Sequence, residues 1–265
     1  MQPIAVIGLS CLFPEADTPK QFWENLIQDK NSCTTATEEN LEADPLHYSA
    51  DKKGIPDKFY SSRGGYIRNF SMDPEGFLLP PDTIKQLGST FQWPLYTARE
   101  ALLDSGYLNR AEVLEKCGLV LGNLSFPTRE SNHLILPIYQ KALQKLMREA
   151  LGRPEFSLHS FCAKKDVAWE NSHISGLPAS IVAQSLGLSS CRFAIDSACA
   201  SSLYAVALAC NYLSGGQTDM MLAGAVSAAD PFFVNMGFSI FQAYPEPDER
   251  SNPLDNNSGG LYASQ

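Results

Sequence analysis

The chain has 265 residues, with 20 Lys or Arg against 29 Asp or Glu, a formal net charge of −9. At 44% apolar and 18% charged residues it has the composition of one or two globular domains with a substantial core, which excludes a disordered chain. Its acidity excludes the broad basic surface that nucleic-acid binding needs.

Residues 4–7 (IAVI), short, apolar and β-branched before Gly8, predict a buried strand. Thr18-Pro19-Lys20-Gln21 carries a cap, a first-turn proline and a capping-box glutamine, predicting a helix over about 19–29. Residues 30–80 are rich in Gly, Pro, Asp, Asn and Ser and predict long connections, with one short hairpin at YSSRGGYI (60–67). A helix is expected over 94–105, ended by Gly106, and a second buried strand at 117–123 (CGLVLGN). Pro137 is expected to open a helix running to about 151, stopped by Gly152, with Lys141, Lys145 and Arg148 on one face. A helix over 175–186 closed by Gly187, a strand at 192–196 (RFAID), an apolar helix over 200–213 and a strand at 220–226 (MMLAGAV) follow. Strands alternating with helices imply a largely buried sheet covered on both faces, an α/β architecture. The final residues, 261–265, read as the entry to another strand.

The seven cysteines are Cys11, Cys33, Cys117, Cys162, Cys191, Cys199 and Cys210. An odd count without CxxC spacing suggests neither a disulfide scaffold nor a zinc knuckle. The start of the chain lacks the pattern of a signal peptide, and no apolar run reaches the roughly 20 residues that span a bilayer. The expectation is a cytoplasmic protein without a membrane span.

Asp196-Ser197-Ala198-Cys199-Ala200-Ser201-Ser202 is the stretch that carries chemistry. A strand arrives at small residues, one cysteine stands at the turn, and a helix leaves, as in a nucleophile elbow. Unpaired N–H groups and the positive end of the helix dipole favour a thiolate at such a place. The small neighbours leave room for a substrate. From spacing alone, the alternative is a buried structural cysteine.

Residues 4–29 (IAVIGLSCLFPEADTPKQFWENLIQD) and 196–226 (DSACASSLYAVALACNYLSGGQTDMMLAGAV) resemble a β-ketoacyl synthase domain. The stretch NPLDNNSGGLYASQ (252–265) resembles the segment leading into that family's Gly-Glu-Gly element. Residues 223–233 and 236–241 are most similar to synthases of polyunsaturated fatty acid or glycolipid type megasynthases. The resemblance implies a thiolase-like α/β fold with layers α-β-α-β-α. It implies that Cys199 accepts an acyl group from an acyl carrier protein, followed by decarboxylative condensation with a malonyl unit on a second carrier. No cofactor is expected on this chain, since phosphopantetheine arrives on the carrier. A homodimer and other megasynthase domains are the implied partners.

The family's two histidines, in His-Gly-Thr-Gly-Thr and Asn-x-Gly-His elements, follow its cysteine. Here His47, His133, His159 and His173 all precede Cys199, and no Lys follows Lys165. The expectation is therefore that residues 1–265 are the nucleophile-bearing N-terminal half, with the C-terminal half absent. Such a half is expected to be incompetent for condensation alone and to expose an apolar face. Asn252-Pro253-Leu254-Asp255 also departs from the family's Arg-Pro-Phe-Asp, and Ser264-Gln265 stand where a Gly-Glu pair is expected.

Phe232, Met236 and Phe238, with Phe233 and Phe241, either line an acyl pocket or pack a core. The Lys141/Lys145/Arg148 face either docks an acidic carrier or is solvated. Asp196 is expected to cap the helix starting near Cys199. Two rival functions are a non-catalytic subunit of chain-length-factor type and a Cys–His hydrolase using His133 or His173.

Overall fold

The computed structural model describes residues 3–158, 167–246, 251–252 and 254–265. His159, Cys162, Lys165 and Pro253 lie outside the described residues. In chain order the elements are α1 (Pro19–Ile27), β1 (Cys33–Thr35), α2 (Glu38–Leu41), α3 (Pro45–Tyr48), β2 (Arg63–Gly65), α4 (Pro81–Gln86), α5 (Ser89–Asp104) and α6 (Ala111–Leu114). There follow β3 (Cys117–Asn123), α7 (Arg129–Leu151), α8 (Leu177–Leu186), β4 (Arg192–Ile195), α9 (Ser201–Ser214), β5 (Met220–Val226) and α10 (Pro231–Ile240). The chain divides into two compact units. One holds the residues through Ile4, Asp73–Tyr96 and Leu108–Val226; the other holds Ala5–Met72, Thr97–Tyr107 and Ser227–Gln265.

The first unit is built on a parallel sheet of order β4-β3-β5. Leu119 pairs with Arg192 on one side and with Leu222 on the other. All seven residues of β3 are buried, as its unbroken apolar run requires of a central parallel strand. The neighbouring strands are only partly buried. Helix α8 packs on β3 and β4, and α9 packs on β3, β4 and β5. Ser201, Ala205 and Ala209, spaced four apart, form the buried stripe of α9. The opposite side of α9 is apolar and exposed, at Leu203, Tyr204 and Val206.

Helix α7 begins eight residues before the expected start at Pro137. A reciprocal cap sets its true beginning: the Ser131 amide donates to Thr128 Oγ1 and the Thr128 amide to Ser131 Oγ. Pro137 therefore sits inside the helix, where it removes one backbone hydrogen bond without ending it. Gly152 and Gly187 close α7 and α8 in left-handed conformation, as expected.

In the second unit, α1 has the expected start: Thr18 Oγ1 accepts from the Gln21 amide. The hairpin expected within 60–67 does not form. Arg63–Gly65 instead pairs antiparallel with Cys33–Thr35, and its other side meets Ser264. The Gly65 amide donates to Ala263 O, and the Gln265 amide donates to Gly65 O. A Cβ on Gly65 would fall 2.3 Å from Ser264 Oγ, so only glycine admits this approach. The expected terminal strand is thus realised as a single bridge. The unit's core is Ala36, Leu41, Phe59 and Tyr66. A buried network adds to it: Tyr244 donates its hydroxyl to Asn235 Oδ1, and Asn235 Nδ2 donates to Tyr66 Oη.

Residues 4–7 form no strand, against expectation. A strand needs a neighbour for its N–H and C=O groups, and these residues join no ladder among the described residues. Val6 is 82% exposed.

Candidate active site

Cys199 is exposed and stands between the end of β4 at Ile195 and the start of α9 at Ser201. It lies in a short 3₁₀ turn, Ala198–Ala200. The expected strand–cysteine–helix elbow is therefore present, at the carboxyl ends of parallel strands where α/β proteins place their sites.

Four hydrogen bonds shape the turn. Asp196 does not cap α9 as expected. Its Oδ1 accepts from the Ala198 amide at 3.0 Å, and its Oδ2 accepts from the Ser125 amide at 3.2 Å. Ser201 Oγ accepts from the Ser197 amide at 2.9 Å and donates to Ala198 O at 2.7 Å. Ala198, held from both sides, has a φ of +49°, unusual for a residue with a Cβ. From below, Gly122 of β3 approaches so closely that a Cβ there would lie 2.9 Å from Ser201 C and O.

The spacing of Asp196 and Ala198 is that of a local Asx turn, and Ser201 follows Ser197 by four, so both contacts had a sequence signal. Ser125 and Gly122 had none, because their partners are remote in the chain.

The small neighbours differ in role. Ala198 is exposed and Ala200 partly so, whereas Ser201 is buried and engaged as a clamp. The other thiols among the described residues are less accessible. Cys117 is fully buried, and burial pushes its thiol up to about 11. Burial also raises the thiols of Cys11 and Cys33.

Phe232 and Met236 are half-buried in the second unit and pack on its core. The Phe232 ring lies edge-on to Tyr48 at 4.9 Å and to Phe59 at 6.4 Å. The Phe238 ring lies 6.0 Å from Tyr244. These contacts are those of core residues. Phe233 and Phe241 are exposed. His133 is buried in α7, and His173 Nδ1 lies 3.1 Å from Ser172 Oγ. Lys141, Lys145 and Arg148 line an open groove of about 610 Å³ together with Glu149. Arg148 Nε is already engaged, donating to Phe156 O. Among the described residues there is no cluster of metal-ligating side chains and no helix long and apolar enough to cross a membrane.

The family model for the N-terminal domain of β-ketoacyl synthases matches residues 1–264. A polyunsaturated fatty acid synthase polypeptide of Thraustochytrium sp. is 30% identical over 97% of this chain, which spans 12% of that protein. A PKS-NRPS hybrid synthetase of Aspergillus niger is 26% identical over 98% of the chain, again a small part, 13%, of the relative. Among solved structures, PfaC Keto synthase-Chain length factor superposes with a TM-score of 0.90 at 46% identity, covering 98% of this chain and 28% of that one. The oxazolomycin ketosynthase domain OzmH KS7 shares the fold at 19% identity, with a TM-score of 0.70, covering 98% of this chain and 40% of that one. The chain thus carries a thiolase-like α/β fold and belongs to the β-ketoacyl synthase family, in the part its N-terminal domain model describes, with polyunsaturated fatty acid and polyketide synthases as its relatives.

Proposed function

We propose that this chain is the acyl-accepting part of a ketosynthase, with Cys199 as the nucleophile. The observation that carries the proposal is the exposed thiol on a braced turn between β4 and α9. The Cys199 sulfur attacks the thioester carbonyl of an acyl chain borne on the phosphopantetheine of an acyl carrier protein. A new C–S bond forms, the old one breaks, and the carrier thiol leaves with the proton. In the second step a carrier-bound malonyl unit loses CO2, and its α-carbon attacks the Cys199 thioester. A C–C bond forms, the C–S bond to Cys199 breaks, and the released thiolate takes a proton from water to regenerate the thiol. The second step requires donors for the developing enolate oxygen. No histidine follows Cys199 in this sequence, so condensation by these residues alone is not expected.

Transfer of a labelled acyl group from a carrier protein to the chain tests the first step. Cys199→Ala is expected to abolish transfer, and transfer that persists in this variant contradicts the proposal. The groove on α7 offers opposite charge to an acidic carrier despite the chain's net charge of −9. Lys141→Glu with Lys145→Glu is expected to raise KM for a carrier-bound donor severalfold and to leave a small pantetheine thioester unaffected. An equal effect on both donors would remove the groove as the docking surface.

The second reading, a protein of chain-length-factor type, draws on the structural relative whose name joins both activities. The exposed cysteine at position 199 favours the ketosynthase reading. Dimerisation of the whole protein is part of the same proposal.

A further inference from the structure

Ala198, the residue before Cys199, is the strained position of the turn, and the inference drawn from it rests on the acyl-acceptor reading above. Ala198 holds a φ of +49°, which a residue with a Cβ rarely adopts unless its surroundings enforce it. Both of its peptide groups are gripped by side chains. Its amide goes to Asp196 Oδ1 at 3.0 Å, and its carbonyl takes the Ser201 hydroxyl at 2.7 Å.

The second oxygen of Asp196 takes the Ser125 amide, 71 residues away in sequence, so one carboxylate joins the turn to the segment after β3. That segment is itself fixed. Buried Asn123 donates through Nδ2 to Ile174 O and, at 3.0 Å, to Ser175 O. The chain of contacts thus runs from loop 174–175 through Asn123 and Ser125 to Asp196 and the residue before the nucleophile. Asp196 is exposed and lies outside the packed core, so its contribution to the fold is small beside its contribution to the turn.

We propose that Asp196 is a positioning residue: it holds Ala198 in the left-handed conformation and thereby fixes where the Cys199 sulfur meets an acyl thioester. The experiment uses the full-length protein carrying this chain. Acylation of Cys199 by an acyl-pantetheine thioester and its alkylation by iodoacetamide are each followed by mass spectrometry.

Asp196→Ala is expected to slow acylation about tenfold, with the effect in the rate at saturating donor and with little change in melting temperature. Asp196→Asn keeps an oxygen for the Ala198 amide and is expected to retain most of the rate. The decisive variant is Ala198→Gly in the Asp196→Ala background. Glycine adopts positive φ unaided, so the rate is expected to return. A merely structural role would not be rescued this way, since added glycine only loosens the fold.

Wild-type acylation in Asp196→Ala, or a double variant no faster than Asp196→Ala, would overturn the proposal. If the wild-type protein takes no acyl group but alkylation of Cys199 follows the same order across the variants, the acyl-acceptor reading fails and the positioning role stands.

Discussion

The missing Cβ of Gly122 decides how closely β3 can meet the start of α9. Gly122→Ala would set a methyl 2.9 Å from the backbone of Ser201, the clamp of the Cys199 turn. The variant is expected to lose about 1–3 kcal/mol of stability, and acyl transfer with it, read by chemical denaturation and a transfer assay. Cys117, at the start of β3, is the opposite kind of thiol from Cys199. Its folded-state value is raised from 9.0 to about 11 by burial, so it stays protonated where an unfolded chain would ionise. The stability this contributes is complete below pH 9 and is lost as pH rises from 9 towards 11. The buried hydroxyls of Tyr66 and Tyr244 are raised for the same reason and act in the same direction. Thermal melts are expected to fall across this alkaline window, and at about pH 8 iodoacetamide is expected to label Cys199 while sparing Cys117. At this scale the cysteine turn was legible because its frame, Asp196 to Ser202, is local. Its supports at Gly122 and Ser125 were not, because no local pattern reports a contact made across a sheet.

Among elements, those written in nearest neighbours were readable and those needing a remote partner were not. The apolar runs 117–123 and 220–226 became β3 and β5 with the expected bounds, and Thr18 capped α1. IAVI has the composition of a strand but no ladder among the described residues, and Arg63–Gly65 found its partner at Cys33–Thr35 instead of in its own sequence. Helix α7 shows two local signals in competition: the proline at 137 and the cap at 128. The cap prevails because reciprocal hydrogen bonds and eight further helical residues outweigh one lost backbone bond. Thr128→Ala is therefore expected to cost about 1 kcal/mol. Pro137→Ala is expected to stabilise by about 1–3 kcal/mol, because it restores an interior hydrogen bond and removes a ring clash. A helix that began at Pro137 would show the reverse: no effect from Thr128 and no gain at Pro137. Thermal unfolding of the two variants distinguishes these outcomes.

For the whole molecule, composition and charge left the chemistry open, and the motif around Cys199 pointed to the ketosynthase family. The chain spans only 12% of the Thraustochytrium synthase polypeptide and 28% of the solved PfaC relative. Its most apolar long helix, α9, lies on the sheet with one face and shows Leu203, Tyr204 and Val206 on the other. A helix apolar on both faces suits a layered fold, in which helices are packed between sheets. Cys199 sits at the N-terminal end of that helix, so the candidate site and the layering share one element. The central claim is that Cys199, among seven cysteines, is the residue that carries the acyl chain. Peptide mapping of the full-length protein after incubation with an acyl-carrier thioester tests it most directly. The expected result is one acyl group per chain, on the peptide containing Cys199. Acyl label on any other cysteine, or on none, would contradict it.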